Sequence, residues 1–246
     1  MINFIFFKLL IDKFIALSKN PAYAAIPYKR IDSWKICHDE FSKAIANKKA
    51  KKSLDIDYLA LILSEYLSSW GMRRNSFLLK LTYQVHKGAV KIILNGSYKS
   101  VKFIDLLDAS TSDYLNNNDM VDALMNLKDK LIEYYTSYAN NAKKSEQLLT
   151  GTFSSSATSV KLQMPSDTLI SKILLGTLGC CVAYDSLVKK TLKNGGLANA
   201  SFSKKSIIQL SKFYDSNKLK MDQLRKQLNN IPEMKLLDLG LWLLSI

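Results

Sequence analysis

The stretch "LLGTLGCCVAYDSLVKK", Leu174 to Lys190, holds two glycines in an apolar run and one acid, Asp185, where that run meets a basic segment. As one continuous helix it would carry Gly176 and Gly179 inside, and each would weaken an exposed helix by ~1 kcal/mol relative to alanine. Two readings answer that cost. Either the glycines admit close packing against a neighbour, or the helix ends near Gly179 and "CCVAYD" is a turn. On the turn reading Asp185 is an N-cap, its side-chain oxygen accepting from the free amides of a new helix. The competing role for the same acid is chemical, with Val182, Ala183 and Tyr184 holding it beside a substrate.

Both readings put helices on either side, and helical spacing runs through the rest of the chain. "IDSWKICHDEFSKAIANK" sets Trp34, Cys37, Phe41 and Ile45 at steps of three or four, with Asp32 or Ser33 placed to cap it. "DYLALILSEYLSSW" repeats the pattern through Leu59, Leu63, Tyr66 and Trp70, and Gly71 is placed to end it. At the start of the chain Phe4, Phe7, Leu10 and Phe14 share a helix face, while Lys8, Asp12 and Lys13 break the apolar core that an export signal would need. From Ser76 to Leu94 the spacing predicts another helix. "VKIILNGSYKSVKFI" also fits a hairpin turning at Asn95 and Gly96, so a small hairpin near residues 90–104 stays open.

A long helix follows from Asp119, carrying Leu124, Leu127, Leu131 and Tyr135 and stopping around "NNAKK" at 140–144. Ser166 or Asp167 caps the next one, and "PEMKLLDLGLWLLSI" begins with Pro232 in a first turn and is apolar nearly all round, hence buried. The expectation is an all-α, two-lobed chain of about nine to eleven helices. Residues 1–149 form the N-terminal lobe, 150–165 a Ser/Thr-rich connector and 166–246 a basic C-terminal lobe, with one integrated domain as the alternative.

Composition narrows the chemistry. Apolar residues make up 48% and charged residues 23%, the balance of a chain that folds. Cys37, Cys180 and Cys181 are an odd set with an adjacent pair, which points to reduced thiols and a cytoplasmic setting. With two histidines, His38 and His86, and neither a Cys-x-x-Cys nor a His-x-x-x-His spacing, no metal site is expected. No phosphate loop, dinucleotide fingerprint or nucleophile elbow occurs, so no cofactor is expected either. The uncharged run Ile173 to Tyr184 is well short of the ~20 residues that span a bilayer, so no membrane partner is expected.

The formal net charge of +14 favours a polyanion. Between positions 189 and 226 the basic residues Lys189, Lys190, Lys193, Lys204, Lys205 and Lys212, then Lys218, Lys220, Arg225 and Lys226, face only Asp215 and Asp222. Such a cluster neutralises phosphates without reading sequence. Arg73 and Arg74, in "WGMRRNSF", add a guanidinium pair suited to phosphate or to a salt bridge.

One segment carries a family likeness. "MPSDTLISK", followed by "GTLGCCVAYDSLV", resembles the helix-hairpin-helix DNA glycosylases, in which a hairpin, an apolar helix and a turn lead to a catalytic aspartate. Pro165, the helix and Asp185 carry the match. Ser166 and Thr168 stand where the family has hairpin glycines, and Ser186 and Leu187 where it has threonine and histidine. The resemblance implies that Asp185 stabilises positive charge on a sugar as its base departs. Through "SWGMRRNSFLL" and "MKLLDLGLW" the chain is also similar to uncharacterised all-helical bacterial proteins, a likeness that implies no activity.

Together these readings point to a bacterial-type protein that binds nucleic acid, DNA included, mainly through its basic C-terminal part. The alternatives are a glycosylase-like enzyme using Asp185, and an interaction component of a defence or toxin–antitoxin system that meets an acidic protein partner.

Overall fold

The computed structural model describes residues 3–25, 30–74, 76–150 and 165–245. Those residues are all-α apart from one small hairpin, as the periodicity predicts. Helix α1 (Phe4–Ser18) is capped by Asn3 and is followed by the short α2 (Pro21–Ala24). Helix α1 buries Phe7, Ile11 and Ile15, with Phe4 and Phe14 half-buried beside them. The stripe is therefore turned from the expected one, and Leu10 lies at its edge.

Helix α3 (Arg30–Lys49) begins before Asp32, which sits in the first turn rather than at the cap. Helix α4 (Ile56–Ser69) is capped by Asp55 and is stopped by Gly71 at φ +73°, a left-handed conformation that glycine adopts without a Cβ clash.

The single helix expected from Ser76 to Leu94 is instead two 3-10 turns, Phe77–Lys80 and Tyr83–His86, followed by α5 (Lys87–Asn95). Leu81 is extended between the turns and breaks the ladder. The hairpin exists, but it turns at Lys99–Ser100, four residues later than the expected Asn95–Gly96 turn. Strands β1 (Ser97–Tyr98) and β2 (Val101–Lys102) pair antiparallel, with Tyr98 opposite Val101. The reason is local: the Gly96 amide still donates to Ile92 and closes α5, and a Cβ at Gly96 would lie 2.6 Å from the Phe103 ring.

Helix α6 (Thr111–Asn116) opens with a reciprocal Ser110–Asp113 cap, and α7 (Asn118–Thr150) runs past 140–144 instead of stopping there. After it come α8 (Asp167–Thr177), α9 (Ser186–Gly195), α10 (Lys204–Asp215), α11 (Lys218–Gln227) and α12 (Glu233–Leu243). Positions 151–164 of the expected connector lie outside the described residues.

Packing joins the elements on either side of that segment. Helix α8 lies on α3, α4 and α7, α10 lies on α6 and α7, and α12 lies on α1 and α9. One core cluster contains Phe7, Phe41, Leu63, Leu127, Ile173, Leu210 and Leu237. Two glycines set helix spacing: a Cβ on Gly176 would come 2.3 Å from the Tyr66 ring, and one on Gly240 would come 2.0 Å from the Phe7 ring. Among the described residues no helix is long and apolar enough to cross a membrane.

Substituting Gly240→Ala should therefore force the α1–α12 contact apart and destabilise the chain by about 1–3 kcal/mol, as overpacking does. Urea unfolding measures it, and Phe7→Leu in the same chain should restore part of the loss.

His86 is buried, with Nδ1 2.7 Å from the Tyr135 hydroxyl. Burial, and then the nearby Arg73 guanidinium, lower its pKa from 6.5 to about 3. Between those values the unfolded chain binds a proton that the folded chain refuses, so stability is lost as pH falls from 6.5 towards 3, at ~1.4 kcal/mol per pH unit for one such group. His38, lowered chiefly by its own burial, acts in the same direction. Denaturant midpoints at pH 7, 6, 5 and 4 should fall steadily in the wild type and less steeply in His86→Gln.

Candidate functional site

Every residue from Leu169 to Tyr184 is buried, including the stretch after Gly179 where no helix serves the backbone. Buried amides and carbonyls need partners, and side chains supply them. Gly179, at φ +63°, donates back to Leu174 and closes α8. The Tyr114 hydroxyl donates to the Cys180 carbonyl at 2.9 Å, and Ala183 N–H donates to Asp238 Oδ1 at 2.9 Å. Tyr184 N–H donates to Ser171 Oγ at 2.8 Å, while Thr168 Oγ1 donates to the Tyr184 carbonyl at 2.8 Å. Both sequence readings hold, one for each glycine: Gly176 permits close packing and Gly179 ends the helix.

Asp185 is the N-cap of α9. Its Oδ1 accepts from the amides of Leu187 and Val188 at 3.1 and 3.0 Å, and its Oδ2 accepts from Lys172 Nζ at 3.1 Å. Both oxygens are engaged, in the capping role and in an ion pair. Lys172, on α8, is 4% exposed. A second pair lies close by on α12, where Lys235 Nζ donates to Asp238 Oδ2 at 2.8 Å and the two residues are 4% and 6% exposed.

Indole rings complete the surroundings. Lys172 Nζ stands 4.6 Å from the Trp70 ring centre, and Lys235 Nζ stands 5.0 Å from Trp34 and 6.0 Å from Trp70. Trp34 is held by its own N–H, which donates to the Leu175 carbonyl at 2.9 Å. The two ion pairs open on a cavity of about 350 Å³ whose other walls include Phe14, Tyr66, Trp70, Leu239 and Trp242.

Of this group the sequence singled out Asp185 alone. Lys172, Lys235 and Asp238 were missed, although a signal was present: each is a charge inside a predominantly apolar run, "LISKILLG" or "MKLLDLGL". A charge there must be paired or functional.

The basic residues divide into two sets. Arg73 turns inward, its Nη2 donating to Ser64 Oγ at 2.8 Å, whereas Arg74 is exposed. Lys204 pairs with Asp122 at 2.6 Å, and Arg225 pairs with Glu233 at 3.3 Å and Asp222 at 3.5 Å. Lys218 lies 3.7 Å from Glu233. By contrast Lys190, Lys193, Lys205, Lys212 and Lys226 are exposed, Lys189 is half-buried, and none of the six pairs with an acid among the described residues.

Two of the helices bearing these lysines meet the first turn of α1. Lys190 and Asn194 of α9 border a hollow of about 470 Å³ with Asn3 and Phe6, and Lys220 of α11 stands 5.7 Å from the Phe4 ring centre. Phe6 is 53% exposed.

The chain matches no known protein family, no curated protein and no solved structure.

The bonding of Asp185 separates its two structural roles. Asp185→Asn keeps a capping oxygen and loses the charge, whereas Asp185→Ala loses both. Alanine should cost ~1 kcal/mol more than asparagine for the lost cap, and each variant should lose roughly 3 kcal/mol because Lys172 is left unpaired. Adding Lys172→Met to Asp185→Asn should recover most of that second term in urea unfolding.

Proposed function

We propose that the protein binds nucleic acid without reading its sequence, through lysines of α9, α10 and α11. The observation that carries this reading is the approach of Lys190 and Lys220, thirty positions apart in sequence, to the same first turn of α1. Ammonium groups with no local carboxylate keep their field for a partner, and phosphate contacts release condensed counterions. Phe6, exposed beside Lys190, offers a ring on which an unpaired base can stack. Three cysteines, all buried and none in a disulfide, accord with a reducing cytoplasmic setting.

The test is fluorescence anisotropy with a labelled single strand and a duplex at 50 and 200 mM salt. If about four phosphates are neutralised, affinity should fall roughly a hundredfold between those conditions. Lys190→Glu with Lys193→Glu should weaken binding strongly, while Lys204→Ala, whose charge is already spent on Asp122, should change it little. No binding to either probe at 50 mM salt overturns the proposal, as does equal loss from the Lys204 variant.

A further inference from the structure

The cavity beneath Trp70 has no part in the proposed phosphate surface, and its hydrogen-bonding capacity is unbalanced. Each lysine ammonium has three N–H donors. Lys172 gives one to Asp185, and Lys235 gives one to Asp238. Neither makes a further hydrogen bond among the described residues, although each also faces an indole ring. On the acceptor side, Asp185 takes three hydrogen bonds and Asp238 takes two, and each carboxylate is already paired with its own lysine. What remains is donor capacity on two cations that are each 4% exposed, in a cavity whose other described walls are apolar and aromatic side chains.

Buried donors without acceptors cost free energy. A cavity of this volume, within the range of small-molecule sites, offers room for a ligand that supplies those acceptors. A second cation would meet two ammonium groups and carboxylates already paired with them. A neutral apolar molecule would fill the walls and leave the N–H groups as they are. An oxyanion on an apolar, ring-sized body satisfies both parts at once.

We infer that this cavity is a binding site for a small apolar carboxylate, held by Lys172 and Lys235 through its oxygens and by Tyr66, Trp70 and Trp242 through its body. The two Lys–Asp pairs place the ammonium groups, and indole faces lie against them.

The test uses the full chain and three probes of one shape: 2-naphthoate, 2-naphthalenemethanol and 2-naphthylmethylamine, titrated by calorimetry at pH 7. The carboxylate should bind about tenfold or more tightly than the alcohol, since its hydrogen bonds are charge-assisted, and the amine should bind most weakly. Lys172→Met with Asp185→Asn removes one pair while keeping the α9 cap, and should narrow the gap between carboxylate and alcohol. Lys190→Glu with Lys193→Glu, on the outer surface, should leave naphthoate binding unchanged. Equal affinity for the three probes, preference for the amine, or no binding of 2-naphthoate overturns the inference on the wild-type chain alone, whatever the variants do. Loss of naphthoate binding in the Lys190 variant also overturns it, because the probe would then sit on the outer lysines.

Discussion

A turn without helical hydrogen bonds of its own lies at the centre of this protein, and the elements around it are arranged to serve it. From Cys180 to Tyr184 the backbone is buried, so its polar groups must find partners inside the molecule. Those partners come from α6 through Tyr114, from α8 through Ser171 and Thr168, and from α12 through Asp238. Helices far apart in sequence are thereby tied to one short stretch. Losing any of these side chains would leave a buried donor or acceptor empty, which costs ~1–3 kcal/mol.

The same stretch explains why charges lie so deep. Asp238 serves the Ala183 amide and so brings a negative charge into the interior, where Lys235 answers it. Asp185 caps α9 and is answered by Lys172. A buried pair gains little net stability against apolar replacement, but it is costly to break by halves. Indole faces lower the cost of holding the two ammonium groups, because the ring quadrupole attracts a cation. The arrangement leaves spare donors facing a cavity, and the proposed carboxylate ligand follows from that surplus.

On the outside, charge is sorted by distance rather than by count. The run from 189 to 226 has ten basic residues in one dimension, yet Lys204, Lys218 and Arg225 are drawn to Asp122, Asp222 and Glu233. Of those acids, Asp122 belongs to α7 and Glu233 to α12, beyond either end of the run. Lys190 and Lys220 pair with no acid among the described residues, and each reaches the first turn of α1, Lys190 beside Phe6 and Lys220 beside Phe4.

Local rules determined a good deal by themselves. Helix content, the stop at Gly71, the caps at Ser166 and Asp185 and the burial of the last helix were all legible, because each depends on residues within a turn or two. The hairpin was legible as a place but not as a register, since Asn95 could either end a helix or open a turn, and the Gly96 amide donates back to Ile92 so that Asn95 ends the helix. Tertiary structure alone decided that Lys172, Asp185, Lys235 and Asp238 share one cavity with Trp70, and which surface lysines go unpaired. Periodicity says which face of a helix is apolar, but the partner of a charge is whatever folding brings within a few ångströms of it, and that depends on the whole chain.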